Sequence, residues 1–510
     1  MDGLGSPGRT GDVLIAGDRI EAIGLSCEGP AGTLVLDADR RVVCPGFVDA
    51  HGHSDYHILL SPGCESKVHQ GITTEVMCNC GFSPAPLTDR NRHETTDLFS
   101  SRGIHGDWTS FGEYLARIAQ VGTSMNVVPL VGHGTARGAV AGYAGRSLTD
   151  EEKQALCSEI DRARDEGARG LSSGLEYPPG CFADVEELSL LARRFRQSDG
   201  VYTTHIRDEG RFLLKAIDEA LEVARRAEVK LQISHLKVCG HRFWGQLEAA
   251  LERIERAEQQ GVRVRFDRYP YLAVSTHLGI FLPAELWEGG TERFLQRLNA
   301  HRSQWENHLR ESVEERTSWD GILITDAHGA DPSLNGRCLP EIAVERGASP
   351  ETAAVDLLLE SRGKIQIAAF EMNEKETEQI LAHPFCFHGS DASLYAPEGV
   401  LGESRPHPRS YGSAARFLGE YIYGRKIDTP ENAIHRMTSA PAVFFGLQDR
   451  GRIAVGAMAD VVVFDPSRLR DTARFGDPHH YPDGIDWVIV NGRIVIDHGH
   501  HTGERPGRIL

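Results

Sequence analysis

Eight short apolar or β-branched runs mark the middle of this 510-residue chain. They are GFVDAHGH, TTEVMCNCG, MNVVPLVGHG, ARGLSSGLEY, GVYTTHIRDE, KLQISHLKV, VRVRFDRYPY and PFCFHGSDA. Between many of them lie segments such as EEKQALCSEIDRARDE, VEELSLLARRFRQ, RFLLKAIDEALEVARRAE and QLEAALERIERAEQQ. Their apolar residues recur at the three-to-four spacing of a helix that buries one face. Strands alternating with helices in this number predict an α/β chain closed into a (β/α)8 TIM-like barrel rather than an open sheet.

The two ends read differently. GDVLIAGDRIEAIG and TLVLDADRRVVCPG, then GAMADVVVFDP and IDWVIVNGRIVIDHG, read as short strands joined by turns, one of them at Asn491-Gly492. Neither set can bury its own apolar face, so one small β-sandwich built from both ends is the economical arrangement. The expected domains are residues 1–44 and 450–510 for the parts of the sandwich and 45–449 for the barrel. A mostly helical stretch at about 276–321, after the seventh strand, is too long for a simple connection. Inserted there it overhangs the barrel mouth, as a lid does.

At 40 % hydrophobic and 25 % charged, the chain can bury one large core and a satellite. Its net charge of -18 argues against a nucleic-acid partner, because phosphate binding needs clustered Lys and Arg. No run approaches the ~20 apolar residues that span a bilayer, so no membrane partner is expected. The start, MDGLGSPGRTGDVLIAGDRI, lacks the basic and apolar regions of a signal peptide. Ten scattered cysteines suit a reducing, cytoplasmic setting. A homo-oligomer is allowed but not required.

In such a barrel the chemistry collects where strands end and loops begin. The first strand ends in Asp49-Ala50-His51-Gly52-His53. Residues two apart on a strand face the same way, so His51 and His53 converge as nitrogen ligands for a divalent zinc. The second strand ends in Cys78-Asn79-Cys80-Gly81, where Cys80 is the better thiolate candidate and Cys78 the poorer. A buried Cys is usually only packing, but these lie beside two candidate ligands. The fifth and sixth strands add His205 and His235, and the third adds His133 in a supporting position behind them. At the eighth strand Asp391 can ligate a metal or act as base toward its water.

These motifs, in this order, resemble the amidohydrolase superfamily and within it the D-aminoacylase (N-acyl-D-amino-acid deacylase) family. The likeness runs through PGFVDAHGHSD, EVMCNCGFSPAPL, GLSSGLEYPPG, YTTHIRDEG, ISHLK, YPYLAVST, HGSDA, HPRSYG and the closing YPDGIDWVIVNGRIVIDHGHHTGERPGRIL, almost the whole chain. The resemblance implies a tight zinc on Cys80, His205 and His235, with Cys80 where related two-metal enzymes carry a carbamylated Lys. It implies a second, weaker metal position on His51, His53 and Asp391. Lys237, Tyr269, Ser275 and Arg409 then become contacts of the substrate carboxylate, a role that suits charge-assisted donors. The implied substrate is a small N-acyl-D-amino acid, hydrolysed by metal-activated water with Asp391 as base and then acid. The D preference comes from the resemblance alone. Two departures stand out: the loop SLYAPEGVLGESRPH before Arg409 is longer than in the best-known deacylases, and the family usually carries another strand before Asp2-Gly3, so either the start is called late or the sandwich has lost a strand.

Three rivals compete. A cyclic-amide hydrolase of the dihydroorotase or hydantoinase kind would want a bridging Lys at the end of the fourth strand, where Ser172, Ser173 and Gly174 stand. A non-catalytic scaffold on the same fold would have lost ligands, and every expected ligand is present. A deaminase would not carry NCG or YPPG.

Overall fold

The structure, a computed structural model, describes residues 1–100 and 102–510. Its barrel strands are Phe47–Asp49, Ile72–Met77, Asn126–Pro129 continued by Val131–Gly132, Gly170–Gly174, Val201–His205, Lys230–Ile233, Val264–Arg268 and Cys386–His388. Each pairs in parallel with the next. The ring closes between the eighth strand and the first: the Ala50 amide donates to the His388 carbonyl at 3.1 Å, and Gly52 bridges to Ala392.

Alternation along these strands separates two environments. Val76, Leu231, Ile233, Val264 and Phe266 join the main hydrophobic cluster under the helices. Their neighbours Glu75, Gln232 and Asp267 are buried as well, but polar, and they meet inside the barrel. There the ammonium of fully buried Lys67 donates to Asp49 Oδ2 at 2.9 Å, Ser390 Oγ at 2.8 Å and the Ala392 carbonyl at 2.8 Å, and lies 3.0 Å from Glu75 Oε2. A cation can be buried only when compensated to that degree.

Between the seventh and eighth strands, residues 269–385 form a unit of their own. Ala273–His277, Gln366–Phe370 and Ile322–Asp326 make an antiparallel sheet with Gln366–Phe370 in the middle. Helices Thr291–Ala300, Arg302–Arg316, Leu339–Glu345 and Pro350–Glu360 accompany it, sharing a separate core with Phe294, Leu298, Leu309, Val313, Leu357 and Leu358. The helical stretch expected at 276–321 is thus one part of a larger α/β unit. Its helices are apolar on one side only and need that sheet to cover them.

The ends meet in an antiparallel sheet of five strands, ordered His500–His501, Arg493–Asp497, Ile485–Val490, Val461–Phe464, Val42–Pro45. The hairpin of Asp12–Ala16 and Arg19–Gly24 closes over it, with Ile15, Val43, Val461, Val463 and Trp487 in one apolar cluster. At the turn after Ile485–Val490, Asn491 and Gly492 both take left-handed backbone (φ 47 and 77), as a tight hairpin turn requires. A Cβ on Gly492 would sit 1.9 Å from the Gly17 carbonyl oxygen, so only glycine fits. No helix among the described residues is long and apolar enough to cross a membrane.

Candidate metal centre and active site

The ends of the barrel strands bring the six nominated donors to one place. Cys80 Sγ lies 3.4 Å from His51 Nε2 and 3.5 Å from His235 Nε2. His235 Nε2 is 3.0 Å from His205 Nδ1. On the other side, His51 Nε2 is 3.2 Å from His53 Nε2, and Asp391 Oδ1 is 3.3 Å from His51 Nε2 and 3.1 Å from His53 Nε2. Tetrahedral zinc with bonds of about 2.0–2.3 Å holds its ligand atoms roughly 3.3–3.8 Å apart; the two sulfur spacings and the His51–Asp391 spacing fall in that range, and the other three are slightly shorter. Thiolate and imidazole together also suit zinc better than a hard cation.

Local backbone supports this convergence. Cys80, His235 and Asp391 all have positive φ (52, 38 and 50), a conformation that non-glycine residues hold only where surroundings force it. Gly81 and Gly174 allow it here. A Cβ on Gly174 would stand 2.1 Å from the Cys80 carbonyl oxygen, and one on Gly81 would stand 2.6 Å from the Gly174 nitrogen.

Behind the donors stand carboxylates that the sequence reading did not single out. Asp267 Oδ1 accepts from His51 Nδ1 at 3.0 Å, Glu209 Oε1 lies 3.0 Å from His235 Nδ1, and Glu176 Oε2 accepts from His205 Nε2 at 2.9 Å. Each fixes the outer N–H and leaves the inner nitrogen's lone pair directed into the site. Two faint signals existed. Asp267 is an acid in the middle of a buried strand, and Glu209 follows His205 by only four residues.

The electrostatics are those of a cation site. Burial pushes the Cys80 thiol up, but His51 and His235 outweigh it and hold it well below the usual thiol range. Burial also raises Asp391, and Arg409 with the imidazoles of His235 and His51 brings it well below the carboxylate range. Burial opposes protonation of the histidines, yet hydrogen bonds to Asp391 and Cys80 lift His53 to about 9. Glu209, Cys80 and Glu176 lift His205 to about 10 in the same way. Anionic donors that draw protons onto imidazoles to this extent are donors from which a divalent ion can displace those protons.

Lys237, Tyr269, Ser275 and Arg409 line the same cavity, of about 380 Å³, as Cys80, His205, His235 and Asp391. Arg409 donates to Asp391 Oδ2 at 2.6 Å, and its guanidinium lies 4.6 Å from the Tyr269 ring centroid. The buried Tyr269 hydroxyl has no hydrogen-bond partner among the described residues, so it is an unspent polar group facing this end. Lys237 Nζ donates to Glu209 Oε1 at 2.6 Å and so holds the carboxylate that orients the His235 ring. Ser275 comes from the insertion, on the strand Ala273–His277. Two residues stand apart. Cys78 lies against Asp55, and burial together with that carboxylate pushes its thiol well above its ordinary value. His133 bonds Glu187 at 2.8 Å rather than any donor.

Comparison with known proteins agrees with this geometry. The sequence pattern of the amidohydrolase family matches residues 402–496. The N-acyl-D-glutamate deacylase of Alcaligenes xylosoxydans xylosoxydans is 37 % identical over all of this chain and 94 % of its own length. The D-aminoacylase of the same organism is 35 % identical over all of this chain and 95 % of its own. Among solved structures, an N-acyl-D-glutamate deacylase from Bordetella bronchiseptica, complexed with zinc and a phosphonate mimic of the tetrahedral intermediate, superposes with a TM-score of 0.82. It is 33 % identical, covering all of this chain and 97 % of that one. The chain therefore belongs to the D-aminoacylase family of amidohydrolases.

Proposed function

We propose that this protein is a zinc-dependent hydrolase that cleaves the amide of N-acyl-D-amino acids, releasing a carboxylate and the free D-amino acid. The observation that carries this reading is the placing of the Cys80, His205 and His235 donors beside Arg409 and the unpartnered Tyr269 hydroxyl in one cavity. Cys80, His205 and His235 would hold the tighter zinc, and His51, His53 and Asp391 a second, weaker one. Zinc bound there acidifies water and polarises the acyl carbonyl.

Asp391 Oδ1 lies 3.3 and 3.1 Å from His51 Nε2 and His53 Nε2, and the Asp391 carboxylate lies within 4.8 Å of the Cys80 and His235 donor atoms. It takes the proton of the attacking water and returns it to the departing amine nitrogen, so one carboxylate serves both steps. Arg409, Tyr269 and Ser275 hold the substrate carboxylate, with the positive charge of Lys237 close behind, and so fix the amide over the donors. The insertion unit supplies Val274, Ser275 and His277 to the cavity wall and thereby shields the reaction from bulk water. The ten cysteines are free thiols, which supports a reducing, cytoplasmic setting.

Elemental analysis of the purified protein, with N-acetyl-D-methionine and its L-enantiomer assayed on the same preparation, tests the reading. About one tightly held zinc per chain and D-selective release are expected. Folded protein without zinc and without turnover would sink it.

A further inference from the structure

By their names, one relative acts on N-acyl-D-aspartate, another on N-acyl-D-glutamate, and a third, a D-aminoacylase, on no stated side chain; identities of 36, 37 and 35 % do not choose between them. Resting on the deacylase reading, the cavity wall does choose. A D-aspartate or D-glutamate side chain brings a second carboxylate into a largely enclosed cavity, where it needs a cation not already committed.

Among the described residues three cationic side chains line the cavity: Lys237, Arg316 and Arg409. Lys237 and Arg409 belong to the end that holds the α-carboxylate. Arg316 is caught between Glu371 Oε2 at 3.0 Å and Glu176 Oε1 at 3.5 Å, with its guanidinium over the Phe281 ring at 5.2 Å. Its charge faces two carboxylates, whereas Lys237 and Arg409 each face one, Glu209 and Asp391. His277, on the insertion strand, is driven by burial down to about 4 and is neutral. The other charged side chains of the lining that lie outside the donor set and its supporting carboxylates are acids. Glu94 accepts from the Thr291 hydroxyl at 2.5 Å and its amide at 3.0 Å, and Asp326 pairs with Arg102.

The lining also offers apolar surface. Phe82, one residue beyond Gly81, is 44 % exposed although it lines a cavity. Its ring lies 5.6 Å from that of Tyr177, which in turn lies 5.8 Å from His277. Ile280 continues the surface. An exposed aromatic on a concave wall gains most when an apolar group covers it.

We propose that this chain selects N-acyl-D-amino acids with uncharged, apolar side chains, seated against Phe82, Tyr177 and Ile280, and rejects D-aspartate and D-glutamate derivatives. The test measures kcat/KM of the zinc-loaded protein for the N-acetyl derivatives of D-methionine, D-leucine, D-phenylalanine, D-alanine, D-aspartate, D-glutamate and D-lysine. The expected preference for the apolar set over the acidic pair is about 100-fold or more. Phe82→Ala should lose about tenfold on the phenylalanine derivative, and less on the alanine derivative. Ile280→Ala, from a different segment, should show the same split.

Acidic substrates cleaved as fast as apolar ones would overturn the proposal, as would a best rate on D-lysine. Equal losses on large and small side chains in both variants would show that the two residues merely hold the wall, and would overturn their assignment. A folded, zinc-loaded protein inert toward every derivative would remove the deacylase reading itself, and the selectivity with it.

Discussion

His205 turns Nε2 to Glu176 Oε2 at 2.9 Å and so presents Nδ1 to the metal site, whereas His51 and His235 present Nε2. Which nitrogen faces inward is set by where the outer carboxylate stands. Glu176→Gln keeps the shape but removes the charge that favours the outer N–H. A loss of about 10–100-fold in zinc affinity is expected, read by competition with a chelator. Unaltered affinity would mean that the ring is held by packing alone.

Cys80→Ala removes the sulfur shared by the two donor groups. The variant is expected to purify with far less than one zinc per chain and to lose activity with it, while circular dichroism stays native. Cys80→Ser should recover little, since an alcohol is not deprotonated as the Cys80 thiol is. Full zinc content in the alanine variant would remove Cys80 from the ligand set.

Asp391→Asn separates binding from proton transfer. The tight zinc should remain, because Cys80, His205 and His235 are intact. The rate constant kcat should fall by about 10²–10⁴-fold, the usual worth of a positioned acid–base group. A change confined to KM would assign Asp391 to substrate binding instead.

Lys67→Met leaves Asp49 and Glu75 buried without their common cation. Breaking such a pair costs about 3–5 kcal/mol, and urea denaturation should show that loss. The damage should also reach Asp391, because Lys67 holds Ser390 Oγ and the Ala392 carbonyl on either side of it. A variant of unaltered stability would show the network to be dispensable.

Two buried histidines should make the fold lose stability as pH falls below about 6.5. Burial, reinforced by the Arg102 guanidinium, takes His57 down to about 3. Burial, reinforced by His501, takes His69 to about 3 as well. Both are neutral in the folded state but take up protons near pH 6.5 when unfolded. Their contribution is therefore complete above about pH 6.5 and declines as pH falls toward 3. Together they give a slope approaching ~2.7 kcal/mol per pH unit between about pH 6 and 4. Urea midpoints at pH 7.5, 6 and 5 check this, and a constant midpoint would contradict it.

The residues that meet at the candidate centre were legible because a barrel places strand ends together whatever lies between them. His51 and His53 share one strand end, and Cys80, His205, His235 and Asp391 each follow a recognisable apolar run. What stands behind them was not legible. Glu176 and Glu209 sit in loops whose direction only the folded backbone decides, and Asp267 looks like one more polar residue in VRFDR. The insertion was half seen. Its helices announce themselves by period, whereas GILITDA and KIQIAAF are strands only because Ala273–His277 is there to complete their sheet. The turn at Asn491-Gly492 was readable, since few other pairs accept left-handed backbone twice in a row.

The closure of the ring between His388 and Ala50 divides the centre by order of assembly. Cys80, His205 and His235 follow strands of one continuous arc, each paired with neighbours near in sequence. His51, His53 and Asp391 straddle the seam, with the His51 carbonyl accepting from the Asp391 amide at 2.8 Å and the His53 amide reaching the Ala392 carbonyl at 3.0 Å. Contacts across that seam join distant stretches of chain and form slowly. The thiolate trio can therefore come together in a nascent arc, while the second donor group exists only once the last strand has docked against the first.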